Sequence, residues 1–201
     1  MGIVLNLSPI YPASHDPKDV EKAHLDDGLN LRLYMDALFK GTYPEDVIVH
    51  LGSDAPQVMP GDLDTIAQRN DFLGVNYYTR NFSSSGNPWD VKSTGNQVTD
   101  MGWEVYPKGL TELLCRLHRD YQPKWLWVTE NGAAFKDQLM DGEVNYQQRL
   151  AYIRDHIAAT HDALAQGVPV GAYFAWSLMD NFEWASGRRY LDRLGLSLVP
   201  P

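Results

Sequence analysis

Glu130 closes an apolar run, Trp125-Leu126-Trp127-Val128-Thr129, and is followed by the turn pair Asn131-Gly132 and by Ala133-Ala134-Phe135. The run is aromatic and β-branched and reads as a buried strand. A carboxylate at the tip of such a strand costs desolvation energy unless something there needs its charge. It also fits a cap on the following turn, and these residues alone leave both readings open. A second acidic group, Asp180 and Glu183, lies in a loop beside Trp176 and Trp184. Two carboxylates flanked by flat aromatic faces suit glycosidic-bond cleavage. One protonates the leaving oxygen, while the other attacks the anomeric carbon or activates water. An aromatic face packs on the C–H face of a pyranose, and acids and amides bind its hydroxyls. On composition alone, Glu183 reads equally as a solvated loop acid.

Other chemistries find less support. The six histidines, His15, His24, His50, His118, His156 and His161, avoid the predicted strand ends. No His-Glu-x-x-His or Cys/His cluster occurs, so no metal site is expected. His118, His156 and His161 fall within predicted helices and read as surface or structural residues. No Gly-x-Ser-x-Gly elbow marks a serine nucleophile. Neither Gly-x-Gly-x-x-Gly nor a phosphate-binding Gly-Lys loop follows a strand. No cofactor is expected. The net charge of -9 disfavours nucleic acid and anionic membranes as partners. The single Cys115 reads as helix packing, cannot form an internal disulfide, and is compatible with a cytosolic setting. Met1-Gly2-Ile3-Val4-Leu5 enters a strand without a basic leader, and no long apolar run follows. The expectation is a cytoplasmic protein without a membrane span, with a secreted full-length form as the alternative.

The positioning elements alternate. Gly2 to Asn6 predicts a strand. Asp16-Pro17 starts a helix with Asp as N-cap and Pro at the first position, and Gly41 stops it. Short helices are predicted over 45–51 and, capped by Asp62, over 63–69. A second strand runs from Phe72 to Tyr78, placing Asn76 and Tyr78 on one face. Residues 79–105 are rich in Ser, Gly and Asn, a length that usually marks a functional or disordered loop. Pro107 begins a helix with Leu110, Leu113, Leu114, Leu117 and Tyr121 as its apolar positions, halted by Pro123. The Glu130 strand follows. Asn145 is predicted to cap a long helix with Leu150, Ile153, Ile157 and Leu164 on its apolar side. Val168 to Trp176 is the fourth strand. This alternation predicts a parallel sheet covered by helices, with polar or aromatic residues at all four strand C-termini, where such folds build their sites.

Three stretches carry a family resemblance. Val128-Thr129-Glu130-Asn131-Gly132-Ala133-Ala134-Phe135, Trp176-Ser177-Leu178-Met179-Asp180-Asn181-Phe182-Glu183-Trp184-Ala185 and Phe72-Leu73-Gly74-Val75-Asn76-Tyr77-Tyr78-Thr79 closely resemble motifs of family-1 glycoside hydrolases, the β-glucosidase family. They occur in the family's order and span most of the chain. The resemblance implies a TIM (β/α)8 barrel and retaining hydrolysis through a covalent glycosyl-enzyme. Glu130 matches the nucleophile and Tyr78 the tyrosine that hydrogen-bonds it; Asn76 lines the same subsite. Trp176 matches the platform for the non-reducing sugar, Glu183 the residue binding its O4 and O6, and Trp184 its indole neighbour. Trp103 is similar to an aglycone-side tryptophan. Members acting on 6-phosphorylated sugars carry serine where Glu183 stands, so an unphosphorylated β-glucoside or related β-glycoside is the implied substrate.

Two departures from the family pattern shape the expectation. The family's acid/base glutamate belongs to an Asn-Glu-Pro motif, which this sequence lacks. The first strand resembles barrel strand five. After Trp184, the run Gly187-Arg188-Arg189-Tyr190-Leu191-Asp192-Arg193-Leu194-Gly195-Leu196 is two residues longer than the family's usual form, with Leu194 at an aromatic position. Residues 1–201 are thus expected to form one partial domain, about four βα units (strands 5–8) of the barrel's C-terminal half. A chain of this kind is expected to be inactive alone and to associate with an N-terminal half-barrel or with itself. The competing class is a non-catalytic sugar-binding fragment using Trp176, Glu183 and Trp184.

Overall fold

Four parallel strands organise the molecule, a computed structural model describing residues 1–86, 94–135, 138–140 and 143–178, with backbone alone at 138–140 and 143–145. They are β1 (Gly2–Asn6), β3 (Phe72–Asn76), β5 (Leu126–Asn131) and β8 (Val170–Ala175), hydrogen-bonded in the order β1-β3-β5-β8. Each neighbouring pair is parallel. Two-residue hairpins cannot link parallel neighbours, so helices make the crossovers. Between β1 and β3 run α1 (Pro17–Asp27), a π-helical stretch (Gly28–Arg32), α2 (Leu33–Lys40), α3 (Glu45–Leu51) and α4 (Asp62–Ile66). Helix α5 (Pro107–Tyr121) joins β3 to β5, and α6 (Gln147–Ala165) joins β5 to β8. Two short pairs complete the description, β2 (Ile10–Pro12) beside β4 (Asn81–Ser83), and β6 (Gln138–Met140) against β7 (Glu143–Asn145).

Local chemistry explains the helix boundaries. The Asp16 side chain accepts the Lys18 amide at 2.8 Å and Pro17 opens α1, as the sequence predicts. Gly41 ends α2 in the left-handed conformation at φ 66°. Helix α4 is shorter than expected, and Gly61 rather than Asp62 is its N-cap. The Asp62 carboxylate instead accepts the Met59 amide at 2.8 Å. Tyr146, not Asn145, precedes α6, because Asn145 is the last residue of β7. The ladder at β3 stops at Asn76, two residues before the predicted end, and β8 covers a shorter span than 168–176.

One side of the sheet packs on the helices. Leu73, Val75, Leu126 and Val128 meet Leu110, Leu113, Leu114, Leu117, Ala159 and Ala163 in one buried cluster. Removing a leucine from such a core costs about 2–5 kcal/mol. Helix α6 contradicts the predicted face. Leu150 and Ile157 are half or more exposed, and the buried residues are Arg149, Tyr152, His156, Ala159, Thr160 and Ala163. The small alanines let the helix approach the sheet, while Arg149 and Tyr152 donate to the Ala133 and Tyr78 carbonyls and His156 and Thr160 to carbonyls one turn back in α6. On the opposite side of the sheet, Phe72 stacks on Trp127 at 4.0 Å, while Val4 and Phe174 are exposed.

Candidate active site

The tips of β3 and β5 meet through backbone and side chain. Tyr77 N–H donates to the Glu130 carbonyl at 2.9 Å, carrying the β3 chain onward beside Glu130. Two residues beyond Asn76, the Tyr78 hydroxyl donates to Glu130 Oε2 at 2.6 Å. A hydroxyl–carboxylate bond of this length is charge-assisted and fixes the orientation of the acid. Asn76 Oδ1 accepts from Thr129 Oγ1 at 2.7 Å, so its amide is held against the residue preceding Glu130. The Asn76/Tyr78 alternation read from the sequence therefore brings both side chains to the Glu130 strand.

Trp103 lies against Tyr78, with ring centroids 5.3 Å apart. Its loop is fastened by Arg80, whose guanidinium donates to both Glu104 carboxylate oxygens at 2.7 and 2.9 Å. Thr79 Oγ1 also donates to the Glu104 carbonyl at 2.9 Å. The guanidinium lies 3.5 Å from the centre of the Tyr106 ring, within cation–π range. The Arg80 hydrogen bonds hold the Glu104 carboxyl down to about 2, so the clasp stays ionised at ordinary pH.

Trp176 N–H donates to the Asn131 carbonyl at 2.9 Å, seating the end of β8 beside the Glu130 turn. The Trp176–Ser177 peptide is cis. Gly132 is required by this approach, since a Cβ there would lie 1.8 Å from the Trp176 carbonyl oxygen. Glu183, Trp184 and Asp180 lie outside the described residues.

Four residues without an assigned role in the motif reading support the site from behind. Asn131, which reads in sequence as a turn residue, is fully buried. Its Nδ2 donates to the Tyr77 carbonyl at 2.7 Å and to the Tyr152 hydroxyl at 3.1 Å, and its Oδ1 accepts from the Tyr173 hydroxyl at 2.6 Å. Tyr152 in turn donates to the Tyr78 carbonyl at 3.1 Å. Arg149 Nη1 donates to the Ala133 carbonyl at 2.6 Å, bracing the segment after Glu130. Burial raises the Tyr152 and Tyr173 hydroxyls well above the usual tyrosine range, so both keep their protons. For Arg149 and Tyr152 the sequence signal is a Tyr and an Arg on the α6 face opposite Leu150 and Ile157.

Among the described residues no group of three His, Cys, Asp or Glu side chains is placed to hold a metal ion. No helix among them is long and apolar enough to cross a membrane. The groove between α5 and α6, lined by Lys108, Glu112, Cys115, Arg119, Asp155 and Asp162 among others, includes none of the Glu130 cluster. The Glu130, Tyr78 and Asn76 side chains meet at the strand tips, on the carboxyl edge of the sheet, where parallel α/β folds converge their functional side chains.

The family described as Glycosyl hydrolase family 1 matches residues 1–200 of the chain. The chain is 40% identical over 206 residues to the beta-glucosidase A of Acetivibrio thermocellus, covering 98% of itself and 46% of that protein. It is 34% identical to a 6-phospho-beta-galactosidase of Clostridium acetobutylicum, covering 99% of itself and 48% of that protein. The family 1 β-glucosidase of Thermotoga maritima, solved in complex with isofagomine lactam, superimposes with a TM-score of 0.90 at 33% identity. That match covers 99% of the chain and 46% of the other. The chain spans about half the length of the curated relatives it matches.

Proposed function

We propose, from the premise that this chain belongs to glycosyl hydrolase family 1 and forms four βα units of its TIM barrel, that it supplies the nucleophile half of a retaining β-glycosidase site. The observation that carries the reading is the Tyr78 hydroxyl on the Glu130 carboxylate at 2.6 Å, at the carboxyl edge of the parallel sheet. In this reading Tyr78 holds Oε2, and Oε1 attacks the anomeric carbon of a β-glycoside. The bond to the aglycone oxygen breaks as the glycosyl–Glu130 ester forms, and that oxygen takes a proton from a general acid. Water then attacks the anomeric carbon, giving up a proton to the same group, and the bond from that carbon to Glu130 breaks to release the carboxylate.

Asn76 and Trp176 contribute glycone contacts, and Trp103 lies towards the aglycone through its contact with Tyr78. Glu183 and Trp184, by their place in the family motif, bind the far hydroxyls. An anionic Glu183 repels a 6-phosphate, which favours unphosphorylated glucosides or related β-glycosides as substrates. The sequence contains no Asn-Glu-Pro, so the general acid is assigned to an N-terminal half-barrel. General acid assistance contributes about 10²–10⁴-fold, so the chain by itself turns over unactivated glycosides such as cellobiose negligibly.

A dinitrophenyl 2-deoxy-2-fluoro-β-glucoside tests the assignment, because its leaving group departs without protonation. The expected result is a covalent adduct mapped to Glu130 by peptide mass spectrometry and lost in Glu130→Gln. Reversible sugar binding without an adduct overturns the nucleophile and favours a sugar-binding fragment.

A further inference from the structure

We propose that Tyr152 is a positioning residue for the nucleophile, its hydroxyl tying the strand tip that carries Glu130 to the chain extension that carries Tyr78. The proposal rests on the reading of Glu130 as nucleophile. Tyr152 belongs to α6, behind the sheet, and is buried. Its hydroxyl is flanked by Asn131 Nδ2 and by the Tyr78 carbonyl, each at 3.1 Å. Asn131 follows Glu130 directly, and the Tyr78 carbonyl belongs to the residue whose side chain grips Glu130 Oε2.

The proton inventory fixes every direction in this cluster. A carbonyl only accepts, so Tyr152 spends its single proton on Tyr78. Its oxygen then accepts from Asn131. The Asn131 amide has two N–H bonds, one to Tyr152 and one to the Tyr77 carbonyl at 2.7 Å. Its oxygen is left for Tyr173, which donates at 2.6 Å. Flipping the amide would set its oxygen against the Tyr77 carbonyl, which offers no proton. Asn131 has therefore one orientation, and through it α6, β3, β5 and β8 share one junction. Burial raises the Tyr152 hydroxyl, which keeps the donated proton in place across the working pH range.

The ring of Tyr152 is seated independently of its hydroxyl, stacked on His156 at 3.9 Å and edge-on to Phe135 at 6.4 Å. Tyr152→Phe thus keeps the packing and removes only the link. The Asn131 N–H and the Tyr78 carbonyl each lose a buried partner, and the Tyr78–Glu130 geometry relaxes.

The test uses the whole chain labelled with tyrosine carrying 13C at Cζ, the Tyr78 resonance being assigned by its loss in Tyr78→Phe. The expected result is that Tyr152→Phe shifts the Tyr78 resonance and slows capture of the activated fluoro-glucoside roughly tenfold, on the scale of one buried hydrogen bond. The reversible dissociation constant of the probe is expected to be unchanged. Tyr173→Phe, which loosens Asn131 from its other side, moves both readouts in the same direction and serves if Tyr152→Phe does not fold. Phe135→Leu, which disturbs the same packing without touching the hydroxyl, lowers the melting temperature and leaves both readouts in place. A Tyr78 resonance unmoved by Tyr152→Phe and Tyr173→Phe overturns the coupling whatever the labelling shows. Absence of an adduct on the wild-type chain overturns the nucleophile reading and, with it, the catalytic role of Tyr152.

Discussion

His156 shows how a single residue sets the pH range over which this fold holds. It is fully buried between the rings of Tyr152 and Tyr77. Its Nδ1 lies 2.8 Å from the Tyr152 carbonyl, which only accepts, so Nδ1 carries the proton of a neutral ring. Nε2 has no hydrogen-bond partner among the described residues. Burial drives its pKa down to about 4 from an ordinary 6.5. In the unfolded chain the ring protonates near its ordinary value, so between about pH 6.5 and 4 the unfolded state binds the extra proton. Stability is therefore full above pH 6.5 and falls as pH drops towards 4, by roughly 3 kcal/mol in all. Denaturant titrations at pH 7.5 and 4.5 are expected to show this loss in the wild-type chain. His156→Phe, which stacks on Tyr152 but does not titrate, is expected to remove most of the difference. An equal pH dependence in both proteins would rule out His156 as its source.

Among elements, the loop that carries Trp103 is held by charge rather than by regular secondary structure. A single isolated bridge, Val98 to Glu104, pairs its two arms. Arg80 adds a charged fastening to the bonds that Thr79 and Thr94 make with Glu104, with both it and Glu104 nearly buried. A neutral amide in place of the Glu104 carboxylate offers Arg80 one acceptor oxygen instead of two and removes the negative partner of its guanidinium. Glu104→Gln is expected to cost about 2 kcal/mol and to loosen the Trp103 ring from Tyr78, read as a red-shifted, more quenchable indole emission when the other tryptophans are replaced by phenylalanine. Unchanged emission and stability would show that Trp103 is positioned without the clasp. The same loop marks how far the sequence could be read. Glu130, Tyr78 and Asn76 were legible because strand alternation and motif spacing place them together with no knowledge of the helices. The supporting cluster was not. Asn131 looked like a turn residue, since its burial is created by Tyr152 and Tyr173, each on a different element. On α6, Leu150, Ile157 and Leu164 of the predicted face are exposed, and only Ile153 packs against a buried cluster. Hydropathy counts an arginine and a histidine as solvent-seeking, whereas here Arg149 and His156 bond carbonyls. Arg80 lay within a stretch whose composition suggested only a loop.

At the scale of the whole molecule the sheet is one-sided. Helices cover one face, while the other presents Val4, Phe72, Trp127 and Phe174, with Val4 45% and Phe174 51% exposed. Among the described residues, strands β1 and β8 each pair with one neighbour in this sheet, and each presents an outer row of backbone donors and acceptors, which promotes strand addition. In a closed barrel those rows bond to further strands and the apolar face becomes filled interior. The free energy available is substantial, since burying a phenylalanine or valine side chain is worth about 1.5–3 kcal/mol. We therefore expect the 201-residue chain to associate, with a partner half-barrel when one is supplied and with itself otherwise. Sedimentation velocity over a hundredfold concentration range is expected to show weight-average mass rising above 22.7 kDa. Phe174→Lys, which places a charge on the exposed face of edge strand β8, is expected to shift that rise to at least tenfold higher concentration. The Glu130 adduct formed by the activated fluoro-glucoside should persist, because Phe174 lies on β8 away from the Tyr78–Glu130 contact. A wild-type chain that sediments as a monomer throughout would mean that the exposed face is covered from within the chain, and would overturn self-association.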